Sequence, residues 1–218
     1  MTYAASEYWD RYLAERGLDW GGRWTDAFIP LLLAEQARSV LELGCGLGHD
    51  AARLADAGLI VVAADFSREA IRRARNAYGA SVEFVIADVS EPLPFEDGSF
   101  DAVMANVSLH MFGAATTHAV FGEVRRVLRP RGLFVFHVNS TADRSLRAQR
   151  RPVERELEEN YVLERGGQTV RFFSRDDLHE LLGGWDDVRL EHVEINDAET
   201  GRVFKHVWRG IARSPESA

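Results

Sequence analysis

Residues 41–50 read LELGCGLGHD: three glycines at alternate positions, directly after the apolar run SVLEL at 39–43. Such a run predicts a buried strand, a tight turn and the start of a helix. It also lets the backbone approach a nucleotide closely, because glycine adopts left-handed dihedrals and carries no β-carbon. The glycine order separates two kinds of ligand. A dinucleotide fingerprint spaces its glycines one residue apart and then two apart. Gly44 and Gly46 fit its first half, but residue 49, where its third glycine falls, is His49, and the third glycine is Gly48 instead. The run is therefore acidic-x-Gly-x-Gly-x-Gly, beginning at Glu42.

Downstream, strands and helices alternate. HDAARLADAG (49–58) predicts a helix closed by Gly58, LIVVAAD (59–65) a strand, and SREAIRRARNAYG (67–79) a helix capped by Ser67. SVEFVIAD (81–88) and FDAVMANV (100–107) predict two more strands. HAVFGEVRRVLRPRG (118–132) predicts a helix ending before Pro130, and LFVFHVN (133–139) a fifth strand. This alternation predicts an α/β fold, a doubly wound and mostly parallel sheet with helices on both faces. Ligands bind such sheets at the carboxyl ends of the strands. Further on, ENYVLERGGQTVRFFS (159–174) predicts a hairpin about Gly166-Gly167, and SRDDLHELLGG (174–184) a short capped helix. WDDVRLEHVEI and RVFKHVWRGIA predict two antiparallel strands. Upstream, apolar spacing predicts one helix over Ser6–Arg16 and another over Trp24–Arg38, kinked or restarted at Pro30.

At 218 residues, 46% hydrophobic and 28% charged, the chain is expected to form one domain. That domain divides into an N-terminal helical lid (1–36), a ligand-binding core (37–140) and a substrate-side insert with the terminal strands (141–218). The net charge of −8 argues against nucleic acid or an anionic membrane as partner. Cys45, the single cysteine, excludes an internal disulfide and a multi-cysteine metal site, and no histidine pair has a metal-binding spacing. With neither a secretory leader nor an apolar run of spanning length, the expectation is a cytoplasmic protein.

VLELGCGLGHDAARLA (40–55) resembles the first motif of the class I S-adenosylmethionine-dependent methyltransferases, whose Rossmann-like sheet has seven strands with an antiparallel final strand. The resemblance implies S-adenosylmethionine as cofactor and S-adenosylhomocysteine as product. It places Glu42, Gly44, Cys45 and Gly46 at the methionine end, and Asp65 with Phe66 at the ribose, where a carboxylate accepts from hydroxyls. Asp88 and Val89 fall at the adenine, and Asn106 beside the sulfonium. The segment PLPFEDGSFDAVMANVSLHMF (92–112) resembles the fourth-strand region and VLRPRGLFVFHVN (127–139) the fifth. The layout also loosely resembles the tellurite and thiopurine methyltransferases.

The resemblance leaves the acceptor open: a small molecule methylated at O, N or a chalcogen, an RNA or protein, or no acceptor at all in a cofactor-binding relative. His110, just past the fourth strand, is the candidate base, and His137 reads as a buried, hydrogen-bonded histidine. Substrate contacts are sought in Tyr8, Trp9 and Trp24, as an apolar lid or as helix anchors. Arg144 belongs to a basic cluster with Arg147, Arg150 and Arg151. That cluster reads as an anion site or as a solvated helix face balanced by Glu154, Glu156, Glu158 and Glu159.

Overall fold

The computed structural model describes Trp9 and residues 24–197 and 200–216. The predicted helix over Ser6–Arg16, with Tyr8 and Tyr12, lies outside the described residues apart from Trp9. In chain order the elements are α1 (Ile29–Ala34), β1 (Ser39–Leu43), α2 (His49–Asp56), β2 (Ile60–Asp65), α3 (Arg68–Tyr78), β3 (Glu83–Ile86), β4 (Phe100–Asn106) and α4 (Ala114–Val127). There follow β5 (Leu128–Asn139), α5 (Asp143–Arg150), β6 (Val153–Glu158), β7 (Tyr161–Glu164), β8 (Thr169–Arg171), α6 (Arg175–Leu181), β9 (Asp186–Asn196) and β10 (Val203–Arg213).

Seven strands form one sheet in the order β3-β2-β1-β4-β5-β10-β9. The pairs β3–β2, β2–β1, β1–β4 and β4–β5 are parallel, and β10 runs antiparallel to both β5 and β9. The predicted sheet is thus observed, with β10 inserted between β5 and β9. Strand alternation divides the core between the two faces. Leu41, Leu43, Val103, Phe134 and Phe136 pack with Val124 of α4 and Leu178 of α6 on one side. Val40, Ala63, Met104 and Val135 pack with Leu32, Leu54 and Ile71 of α1, α2 and α3 on the other.

Helix limits follow local chemistry. The Ser67 hydroxyl accepts from Ala70 N at 3.1 Å and caps α3, and Ser174 with Asp177 forms a capping box on α6. The helix expected over Trp24–Arg38 is instead a 3-10 turn (Thr25–Ala27) followed by the short α1. Pro30 sits in the first turn of α1, where its missing N–H costs nothing, and Gln36 at φ +56° ends the run. β5 begins at Leu128 rather than after Gly132, and a register shift against β4 between Phe100 and Ala102 absorbs the Arg-Pro-Arg-Gly segment. α5 is the helix expected for the basic cluster, and it ends at Arg150. β6 has no counterpart among the expected elements: it is exposed along its whole length and so without apolar alternation. β6 joins the predicted hairpin β7–β8 in a separate three-stranded sheet.

At the turn that opens α2, Gly44, Gly46 and Gly48 all have positive φ, at +72°, +53° and +79°. A β-carbon at 44 would overlap that of Ser108, one at 48 would lie 2.8 Å from the Phe84 ring, and one at 46 would meet nothing within 4 Å. Gly44 and Gly48 therefore serve packing, while Gly46 leaves open space. Gly48→Ala is expected to lose roughly 2–4 kcal/mol from overpacking and left-handed strain, measured by urea denaturation. Gly122→Ala, on an exposed turn of α4 where a β-carbon meets nothing within 4 Å, should instead gain about 1 kcal/mol.

Candidate active site

The carboxyl ends of β1, β2 and β4 converge on the glycine turn. The Asp65 carboxylate closes β2 and binds the turn itself: Oδ2 accepts from Gly46 N and Oδ1 from Ser67 N, both at 2.9 Å. Gly44 N and Cys45 N donate to the Ala64 carbonyl at 2.8 and 3.0 Å, fixing the turn against β2. Phe66 follows, half-buried. Past β3, Asp88 turns the chain by accepting from Ser90 N at 2.9 Å and Ser90 Oγ at 2.6 Å, next to buried Val89.

Glu42 is the unusual group. It is 2% exposed, and its Oε2 has no hydrogen-bond partner. Burial, and then the neighbouring Asp50 and Asp65, push its carboxyl well above the usual range, against one hydrogen bond from the Ala51 backbone. A buried carboxyl with an idle oxygen, flanked by two more carboxylates, suits a cation. The amino end of S-adenosylmethionine is such a group, and the space left at Gly46 suits the close approach of a ligand backbone. The residues present therefore fit the cofactor that the first motif implies.

Asp50, which the sequence reading passes over, links three segments. Its carboxylate accepts from Asn106 Nδ2 at 2.6 Å and from the Thr25 hydroxyl. Asn106 is thereby oriented at the end of β4, with its buried Oδ1 unpartnered. Val107, a β-branched residue at φ +55°, holds the strained exit from β4, its N–H donating to the His137 carbonyl at 3.0 Å. Burial pushes the Cys45 thiol up, so it stays protonated as a packing group.

The other half of the edge lies past β4 and β5. The three-stranded sheet docks on the loop after β4: Arg171 N donates to His110 O at 2.7 Å, Thr169 Oγ1 and Tyr161 Oη to Met111 O at 2.8 and 3.1 Å, and Arg171 Nε to Phe112 O at 2.9 Å. This docking leaves His110 3% exposed, with Nδ1 unpartnered. Burial, then Lys205 and Arg147, hold its imidazole well below its ordinary value. His110 is therefore neutral, and too weakly basic to drive much proton transfer.

His137 packs against Trp24 and Phe28 at ring distances of 5.1 and 4.9 Å and accepts from Arg209 Nε at 3.2 Å. Burial, with Arg209 and Lys205, holds it down to about 3. Trp24 thus serves as an anchor on β5, and Trp9, the one described residue of the predicted first helix, is half-buried. Arg144 ties α5 to the small sheet through Glu156 at 3.0 Å and Asn160 at 3.4 Å.

The solvated-face reading of the basic cluster needs correction at Arg147. Its side chain is largely buried and grips the buried Glu164 carboxylate at 2.6 and 3.1 Å, because the small sheet folds back over α5. Beside this pair stand Lys205, 4% exposed, and Asp143, fully buried. Neither belongs to a motif in the sequence. The available signal was compositional, since Lys205 is the only lysine among 26 basic residues.

Residues 40–132 match the family described as a methyltransferase domain. That match agrees with the class I S-adenosylmethionine-dependent methyltransferases that the first motif resembles. The demethylmenaquinone methyltransferase of Beutenbergia cavernae is 37% identical over 118 residues, 54% of this chain and 48% of its own. The 27-O-demethylrifamycin SV methyltransferase of Amycolatopsis mediterranei is 37% identical over 116 residues, 50% of this chain and 42% of its own. The chain spans about half the length of the curated relatives it matches. Among solved structures, the Burkholderia thailandensis 1,6-didemethyltoxoflavin-N1-methyltransferase, with 1,6-didemethyltoxoflavin and S-adenosylhomocysteine bound, superposes with a TM-score of 0.69 at 24% identity, covering 98% of this chain and 89% of its own. That likeness establishes the fold. Among the described residues no group of histidine, cysteine and carboxylate side chains is arranged to hold a metal ion, and no helix is long and apolar enough to cross a membrane.

Glu42 generates a pH prediction. A raised folded-state value contributes stability that is complete below the ordinary carboxylate range and is lost as pH rises toward that folded value. Glu42→Gln removes the loss. Its Tm advantage over the unsubstituted protein should therefore widen from about pH 5 to pH 8 in scanning calorimetry, whereas parallel Tm curves would contradict the assignment.

Proposed function

We propose that this protein binds S-adenosylmethionine along the carboxyl ends of β1, β2 and β3 and transfers its methyl group to a small molecule held beneath the three-stranded sheet. The observation that carries this reading is Glu42, a buried carboxyl with an unpartnered oxygen beside the open space at Gly46. Glu42 would take the cofactor's ammonium, the Gly44–Gly46 backbone its methionine portion, Asp65 and Phe66 its ribose side, and Asp88 and Val89 its adenine. Asn106 stands at the end of β4 nearest the reacting centre. The bound cofactor supplies an electrophilic methyl on a sulfonium that leaves as a neutral thioether.

The protein's own share is positioning and exclusion of water. In-line transfer needs the acceptor atom about 3–3.5 Å from the methyl carbon, and the small sheet closes the edge over His110. A small acceptor is favoured by that enclosure, by the net charge of −8 and by the named relatives, whose acceptors are small molecules. The protein's place is the cytoplasm in this reading, since it needs no membrane and no oxidising compartment.

Isothermal titration calorimetry with S-adenosylhomocysteine tests the cofactor assignment. Binding near pH 7 should release protons, because the incoming ammonium favours ionised Glu42, and the release appears as a dependence of binding enthalpy on the buffer. Glu42→Gln should weaken binding roughly 10–100-fold, the loss of one charge-assisted hydrogen bond. Binding of NAD in place of S-adenosylhomocysteine would overturn the reading.

A further inference from the structure

We propose that Lys205 is the group that takes the proton from the methyl acceptor, so that the acceptors of this protein carry an O–H or N–H to lose. This rests on the methyl-transfer reading above and narrows it.

Three observations lead there. The first is compositional: arginine fills every cationic position of the sequence except residue 205. Arginine stays charged at any accessible pH, whereas a buried lysine sheds its proton readily. The second is position. β10 enters the sheet against the parallel strands, and Val207 pairs with Asn139, the last residue of β5. Lys205 therefore sits two residues beyond that pair, over the carboxyl edge, where Ser140 N donates to the His206 carbonyl at 3.1 Å. It is 4% exposed.

The third is its surroundings. Asp143, Arg147 and Arg150 face it from α5, Glu164 from β7, His110 from the loop after β4 and His137 from β5. In this group His110 Nδ1, His137 Nδ1 and Asp143 Oδ2 are buried without hydrogen-bond partners, as are both amide atoms of Asn139, the residue paired with Val207. An idle buried polar atom destabilises the fold unless a ligand satisfies it. A cluster of them at a sheet's carboxyl edge marks a place shaped for a polar molecule.

The electrostatics suit proton transfer. Burial first, and Arg147 next, bring the Lys205 ammonium down to about 7, while Asp143 and Glu164 pull the other way. A base is most effective when its value lies near the operating pH, which Lys205 meets and the far weaker base His110 does not. In the step, the acceptor O–H or N–H bond breaks and its proton passes to Nζ of Lys205. The freed electron pair forms the bond to the methyl carbon, and the carbon–sulfur bond breaks with its pair left on sulfur. The lysine ammonium, attracted by Asp143 and Glu164, then returns its proton to water.

A single lysine makes the test clean. Protein grown on lysine labelled with 13C at Cε and saturated with S-adenosylhomocysteine shows one lysine resonance to titrate. A midpoint near 7 is expected, and a midpoint in the ordinary lysine range overturns the proposal. Methyl transfer from S-adenosylmethionine to a panel of phenols, N–H heterocycles and thiols supplies the second readout. Turnover should favour the O–H and N–H acceptors and rise with pH to a plateau with the same midpoint. Lys205→Met and Lys205→Arg should each lower it by roughly 10²–10⁴-fold while keeping the calorimetric affinity for S-adenosylhomocysteine. Transfer confined to thiols, or an unchanged pH profile in Lys205→Met, overturns the proposal while leaving the methyl-transfer reading standing. Failure of the unsubstituted protein to bind S-adenosylhomocysteine overturns that reading instead.

Discussion

The turn after β1 passes the loop after β4 so closely that Gly44 leaves no room for a β-carbon beside Ser108. The crossing is locked by the Ser108 hydroxyl, which donates to the Leu43 carbonyl at 2.6 Å, and by the left-handed Val107 next to it. From this crossing the rest of the site takes its geometry. It sets the height of Asn106 relative to Asp50, and through Asp50 the position of the Thr25 turn. It also directs the chain into His110 and the loop on which the three-stranded sheet docks. A parallel sheet brings its strand ends to one edge by topology. Here the close crossing turns that edge into a site with two halves.

The halves carry opposite electrostatic problems. Around the glycine turn, Glu42, Asp50 and Asp65 crowd negative charge into a buried space with no cation among the described side chains facing Glu42, and the carboxyl of Glu42 rises in response. Past β5, Lys205, Arg147 and Arg150 share their surroundings with Asp143 and Glu164, and the lysine falls in response. Burial makes the charged form expensive in both places. The first half asks for a cation from outside, and the second holds a base ready at neutral pH. Under the proposed reaction these are the needs of the two substrates, a cationic donor and a proton-losing acceptor.

Much of the half around the glycine turn was legible in the sequence because its signals are local. Buried parallel strands read as continuous apolar runs, Ser67 and Gly58 punctuate helices, and the spacing of Gly44, Gly46 and Gly48 separates this turn from a dinucleotide fingerprint. The half past β5 was much less legible. β6 has no buried face, so no periodicity betrays it. Arg147 was read with the wrong partners because Glu164 reaches it only after β6, β7 and β8 fold back over α5. His110 stands out by its place just past the fourth strand, yet its basicity depends on burial by Arg171, Thr169 and Tyr161, which lie about 50 to 60 residues downstream.

The sequence by itself determined the sheet, its order of strands and helices and the kind of turn at residues 41–50, since these rest on periodicity and on dihedrals that only glycine adopts easily. Tertiary structure alone decided which carboxyl is left idle, which arginine is already paired and where the one lysine lies. Those properties arise from desolvation and from charges brought together across distant segments. Glu42 and Lys205 are ordinary residues in the chain, and both acquire their chemistry only when folding removes water from around them.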